Sequence, residues 1–187
     1  MVVINHLLLK RRLRTRIAES RAQLYRTAYA WCHHPDRADD LVQETLLKAI
    51  KNLHTLQDEQ ALRPWLYRIM TNCHRDALRQ QRDNLNIDEM ELACEDCPEM
   101  SAERAHTVLT VRQAIHRLGD DQRKVITLVD LEGFSYSEVA GILEIPMGTV
   151  MSRLSRAREQ LKQQLLHTTE QVAPHNLNLV RIKYENG

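Results

Sequence analysis

The chain is poor in aromatic residues, with one Phe, two Trp and five Tyr among 187 residues. A core short of rings must rest on Leu, Ile, Val and Ala, a set that favours helices. Gly and Pro are equally scarce, five of each. That scarcity argues against a turn-dense sandwich or barrel and against a disordered chain. Four cysteines are too few for a disulfide scaffold. No apolar run approaches the roughly 18 residues of a membrane span, so no membrane insertion is expected. The apolar start, Met1 to Leu9, precedes its basic cluster (Lys10, Arg11, Arg12, Arg14, Arg16). A secretory signal has the opposite order, and a cytoplasmic protein is expected.

What remains is ordinary in amount and uneven in placement. Hydrophobic residues make up 43% and charged residues 27%, as in soluble globular proteins. The length suits one ordinary domain or two small ones. The net charge of +1 is a cancellation: residues 1–82 hold 15 Lys+Arg against 8 Asp+Glu, residues 83–103 hold 8 acids and no base, and residues 104–187 hold 11 bases against 9 acids. Two basic units thus flank an acidic connector.

Helical periodicity dominates and there is no internal repeat. The spacing predicts helices over Arg14–His33, Arg37–Leu53, Pro64–Arg82, Ala105–Leu118 and Asp121–Leu131, with His33-His34-Pro35-Asp36 as a break. Asp83 to Glu103 reads as a linker. Ser135 and Glu138 form a capping box that starts a short helix over Tyr136–Leu143. After a tight turn at Glu144-Ile145, Pro146 opens a longer helix to about Leu166. Two helices joined in this way form a helix-turn-helix whose second member is a recognition helix. The expected fold is all-α: two small helical domains, residues 1–82 and 104–167, joined by a flexible acidic linker at 83–103. In the tail, 168–187, alternation of Val180, Ile182 and Tyr184 fits a short edge strand.

Three surfaces carry candidate function. On the helix Arg37–Leu53, Val42, Leu46, Ala49, Ile50 and Leu53 share a core stripe, while Asp40, Gln43, Glu44, Leu47 and Lys51 lie opposite. Leu47 is either a lone exposed leucine or the centre of a docking face. On the helix Pro64–Arg82, residues Arg68, Asn72, Arg75, Arg79 and Arg82 form one stripe suited to phosphates, with Leu66, Ile69, Met70, Cys73 and Ala77 on the apolar side. Trp65 and Tyr67 sit beside the stripe and could stack on bases; the alternative is a solvated basic face with core aromatics. On the recognition helix the polar readers are Thr149, Ser152, Arg153, Ser155 and Arg156.

Other chemistry is thinly represented. Cys94 and Cys97 form a CxxC without a second pair, which reads as free thiols in a linker, with a metal site or redox switch as the alternative. No metal or cofactor is expected. No phosphate-cradling glycine loop, nucleophile elbow or HExxH is present, so an enzyme is not expected. Read from the residues alone, the helix-turn-helix points to DNA, with a non-DNA role for it as the alternative. A stand-alone helix-turn-helix regulator with an N-terminal sensor or dimerisation domain, and a thiol- or zinc-dependent sensor, both remain open.

The motifs resemble those of bacterial sigma factors of the sigma-70 type, in particular the extracytoplasmic-function group. Asp39-Asp40-Leu41-Val42-Gln43-Glu44-Thr45 is similar to the segment of region 2 that docks on the β′ clamp helices of RNA polymerase. Arg63-Pro64-Trp65-Leu66-Tyr67-Arg68-Ile69-Met70-Thr71-Asn72, followed by Arg75-Asp76, is similar to the segment that melts and reads the −10 element. The loop His54 to Leu62 corresponds to one that helps capture a flipped base. Leu131 to Ala140 and Ile145 to Val150 resemble region 4, and Ser152 to Arg158 its −35-reading helix. Three positions depart from the pattern: Met151 where Lys or Arg is common, Glu144 where Gly is common, and Leu56 where an aromatic is frequent. The resemblance implies a non-enzymatic promoter-specificity subunit. Its partners would be core RNA polymerase (β′ clamp helices and β flap), promoter DNA as −35 duplex and melted non-template strand, and an anti-sigma factor. By the same resemblance Asp39, Asp40, Gln43, Glu44 and Leu47 would bind polymerase, Trp65, Arg68, Asn72, Arg75 and Arg79 the −10 element, and Thr149, Ser152, Arg153, Ser155 and Arg156 the −35 element. The acidic linker would imitate nucleic acid in the polymerase channels or shield the basic stripes in the free protein.

Overall fold

The computed structural model describes residues 2–56, 58–83 and 110–181, with side chains over 11–56, 58–81 and 110–166. The helices in order are α1 (Val2–Glu19), α2 (Arg21–Cys32), α3 (Pro35–Lys51), α4 (Leu62–Asp83), α5 (residues 110–116), α6 (Asp120–Ile126), α7 (Tyr136–Leu143) and α8 (Met147–Arg181). Strands are absent among the described residues, so the fold is all-α.

Local chemistry explains several helix ends. Pro35 opens α3 in its first turn, with Asp36 beside it and Lys48 and Lys51 in the last turn, an arrangement that complements the helix dipole. Before it, His33 closes α2 at φ 53, a left-handed cap whose N–H donates to the Tyr29 carbonyl. The capping box of α7 is complete: Ser135 accepts from the Glu138 N–H, and the Glu138 carboxylate accepts from the Ser135 N–H.

Four expectations are corrected. The helix anticipated over Arg14–His33 is two helices, because the Ser20 hydroxyl donates to the Arg16 carbonyl at 2.8 Å and such back-bonding bends a helix. The helix anticipated over Asp121–Leu131 widens to a π turn at Thr127–Leu131. Val180 belongs to α8, which runs on to Arg181, so the edge strand is absent there; Ile182 and Tyr184 lie outside the described residues. Ile50 and Ala77, assigned to core stripes, are exposed. The linker beyond Asp83, with Cys94 and Cys97, also lies outside the described residues.

Two helical units share one continuous interior. Ile17, Leu24, Ala28, Val42, Leu66 and Met70 fill the first; Val125, Leu128, Val139, Ile142, Val150 and Leu154 fill the second. At the junction Tyr67 meets Phe134 edge-on, ring centroids 4.9 Å apart. Tyr67 is therefore a core residue at 2% exposure, and its expected stacking on bases is corrected. Glu132 also spans the junction, with its side chain only 7% exposed. It accepts from Gln23 Nε2 at 2.7 Å, Thr27 Oγ1 at 2.6 Å and Arg63 Nη2 at 3.1 Å.

Candidate docking and nucleic-acid interfaces

The face of α3 turned away from the core is continuous. Ala38, Leu41, Val42, Thr45 and Ala49 are buried, while Asp40, Gln43, Glu44 and Leu47 are exposed, Leu47 at 69%. Asp39 is half-buried and paired with Arg21 at 2.9 Å. Glu44 pairs with Lys48 at 2.8 Å, and Lys48 also reaches Asp76 of α4 at 3.7 Å. Ile50 joins this face at 43% exposure. At about 100° per residue it falls between Asp39 and Gln43, a phase that the sequence already contained. The result is an apolar pair, Leu47 and Ile50, rimmed by carboxylates and an amide.

On α4, Arg68, Arg75 and Arg79 are exposed and Asn72 and Trp65 are half-buried. Over these residues the stripe follows the periodicity, with Leu66, Met70 and Cys73 beneath it; the Arg82 side chain lies outside the described residues. Two of its arginines are not free. Arg68 donates from Nε to Glu144 Oε1 at 3.1 Å, and Arg75 Nη1 lies 4.0 Å from Glu144 Oε2. The loop before α4 has two short 3-10 turns, Leu53–Thr55 and Glu59–Ala61. Arg12 and Arg16 of α1 hold it through Glu59.

The recognition helix rests on Val150, Leu154 and Ala157 and presents Ser152, Ser155 and Arg156 to solvent. Thr149 and Arg153 are half-buried. Arg153 pairs with Asp121 at 2.7 Å, so it braces the domain as well as facing the candidate duplex surface. Arg158 donates to both oxygens of Asp130, which holds its guanidinium pKa above the ordinary value.

Between the units lies a cavity of about 360 Å³ lined by Trp31, His33, Leu41, His74, His116 and Arg123, with Asp40 and Glu44 on its wall. His33 and His116 rings stand 4.1 Å apart. Burial first, then the Arg123 charge, lowers His33 to about 3. Burial also lowers His74, with Lys124 adding to the effect. Cys32 and Cys73 are free thiols, and burial pushes Cys32 up to about 11 and raises Cys73. Among the described residues no cluster of three His, Cys, Asp or Glu could hold a metal ion. None of the described helices is long and apolar enough to cross a membrane.

Comparison with known proteins places both units. Residues 17–84 match the family model for sigma-70 region 2, and residues 109–161 match that for sigma-70 region 4. The ECF RNA polymerase sigma factor EcfG of Rhodopseudomonas palustris is 38% identical over 127 residues, covering 67% of this chain and 70% of that protein. The ECF RNA polymerase sigma-E factor of Haemophilus influenzae is 33% identical over 139 residues, covering 67% and 73%. The sigma factor RpoE of Bartonella quintana, solved with the anti-sigma factor NepR, superposes with a TM-score of 0.67 at 28% identity, covering 81% of this chain and 94% of that one. A stand-alone regulator is not favoured, because such a protein needs no region 2. With region 2 and region 4 both present on an all-helical scaffold, the chain belongs to the extracytoplasmic-function sigma factors of the sigma-70 family, non-enzymatic subunits that direct RNA polymerase to promoters.

Proposed function

We propose that residues 1–82 dock on the β′ clamp helices of core polymerase through the exposed α3 face: Asp39, Asp40, Gln43, Glu44, Leu47 and Ile50. The observation that carries this is the exposure of Leu47 at 69% inside a polar rim. An apolar centre within a polar rim is the anatomy of a protein interface. The α4 stripe, Arg68, Asn72, Arg75 and Arg79 with Trp65, takes the melted non-template strand of the −10 element. Residues 104–167 read the −35 duplex through Thr149, Ser152, Ser155 and Arg156, with Arg153 beside them, and engage the β flap.

The B. quintana relative binds an anti-sigma factor, and the same class of partner is proposed for this chain. We assign it to the cytoplasm, where core polymerase and promoter DNA would meet it. Transcription reconstituted from purified core polymerase tests the reading. Asp40→Ala combined with Gln43→Ala should weaken core binding before any loss of DNA binding. Unchanged polymerase affinity in that variant would remove the α3 face from the interface.

A further inference from the structure

We propose that Glu144, in the turn of the helix-turn-helix, is an internal stand-in for DNA phosphate that occupies the α4 arginines until region 4 is drawn away from region 2. The proposal rests on the reading of the α4 stripe as the surface for the melted strand, and adds how that surface is regulated.

The turn holds Glu144 at φ 56 and ψ 45, the left-handed region that a side chain disfavours. Its backbone does only capping work, the N–H donating to the Ala140 carbonyl. The side chain crosses to the other unit. Arg68 donates to Oε1 from both Nε and Nη2, and Arg75 approaches Oε2 at 4.0 Å. One carboxylate thereby engages two guanidinium groups on the strand-facing side of α4. Arginine takes the anionic oxygens of phosphate through the same guanidinium donors. The closed chain and a DNA strand need the same donors, so each excludes the other.

The contact is placed firmly and held weakly. Placement comes from Glu132, the buried carboxylate that region 4 inserts among Gln23, Thr27 and Arg63 of region 2. Weakness comes from exposure: Arg68, Arg75 and Glu144 keep side-chain exposures of 56%, 48% and 42%, and such pairs are screened by salt. Arg79 on the same stripe is exposed and makes no ion pair among the described residues. It offers a strand its first foothold.

The test measures binding of the full chain to a fluorescein-labelled single-stranded DNA of random sequence. Glu144→Gln removes the charge and keeps the side chain's bulk; Glu144→Gly also relieves the backbone. Both should bind about three- to tenfold more tightly than the parent at low salt, as loss of two exposed ion pairs allows. The gain should shrink as salt rises. Glu19→Gln, an equal change in net charge on α1, should give no such gain. Arg68→Ala with Arg75→Ala should weaken binding in every background. If the arginine variants lose affinity while the Glu144 variants gain none, or gain no more than Glu19→Gln, the latch is overturned and the strand surface stands. If the arginine variants lose nothing, the strand surface itself is wrong. Helix content by circular dichroism should match the parent in Glu144→Gln, which secures the comparison if Glu144→Gly loosens the turn.

Discussion

The indole Nε1 of Trp31 donates to Thr127 Oγ1 at 2.7 Å, joining buried residues 96 positions apart. Arg123 secures the same point by donating from Nη1 to the Trp31 carbonyl at 2.9 Å. The π turn at Thr127–Leu131 begins at this hydroxyl. Trp31→Phe keeps a ring in place and removes the donor, so stability should fall by about 1–3 kcal/mol. The urea midpoint should drop at unchanged slope; an unmoved midpoint would show that the hydrogen bond contributes nothing.

Glu132→Ala should uncouple the two units. Gln23, Thr27 and Arg63 would lose their shared acceptor, at a cost of about 2–3 kcal/mol for bonds to a charged group. Calorimetry should then resolve two transitions, against a single one expected of the parent. A single transition at the parental temperature would refute the role of this carboxylate.

Acid should loosen the junction. Burial pushes the Glu132 carboxyl up, but hydrogen bonds from Thr27, Tyr67, Gln23 and Arg63 outweigh it and hold it below the ordinary value. Burial lowers His33 to about 3 and lowers His74 as well. In each case the folded pKa lies below the unfolded one, so the unfolded chain binds more protons as pH falls. Stability should be complete above about pH 6.5, the ordinary histidine value, and decline below it, first through the histidines and then through Glu132. Constant stability down to about pH 4, near the ordinary carboxylate value, would contradict this.

Arg153 and Arg156 are neighbours in sequence with different duties. Arg156→Ala should weaken −35 duplex binding by about 1–3 kcal/mol while core polymerase affinity holds. Arg153→Ala breaks the ion pair with Asp121 and should also cost about 0.2–1 kcal/mol of stability. Titrations of duplex and core polymerase, beside urea unfolding, separate the two effects.

Cys32 and Cys73 should resist iodoacetamide in the native chain near pH 8. Burial raises both thiols, Cys32 to about 11, and the thiolate is the reactive form. Peptide mass spectrometry should find them labelled only after unfolding. Rapid native labelling would mean that the junction opens often.

The recognition helix, the capping box at Ser135, the break at His33–Pro35 and the α4 arginine stripe were all legible in the sequence. Each depends on residues within a few positions of one another, where propensity, caps and helical phase act directly. Phase is weakest at the margin of a stripe. Periodicity therefore points Ile50 inward although α3 turns it out, and leaves Tyr67 open to DNA although region 4 covers it. The Ser20 break has no local signature, because a serine within a helical pattern gives little warning that its hydroxyl will bond to the carbonyl four residues back.

Two basic helical units of the sigma-70 kind around an acidic connector, and the charged face of each, can be read from the order of residues. Closure of the units on each other, burial of Glu132 among donors of the first unit and the hold of Glu144 on Arg68 and Arg75 emerge from the folded chain. The physical reason is range. Helices and their faces follow from contacts along the chain, whereas the partner of a buried carboxylate or an exposed arginine is chosen by packing between segments about a hundred residues apart, which no local pattern records.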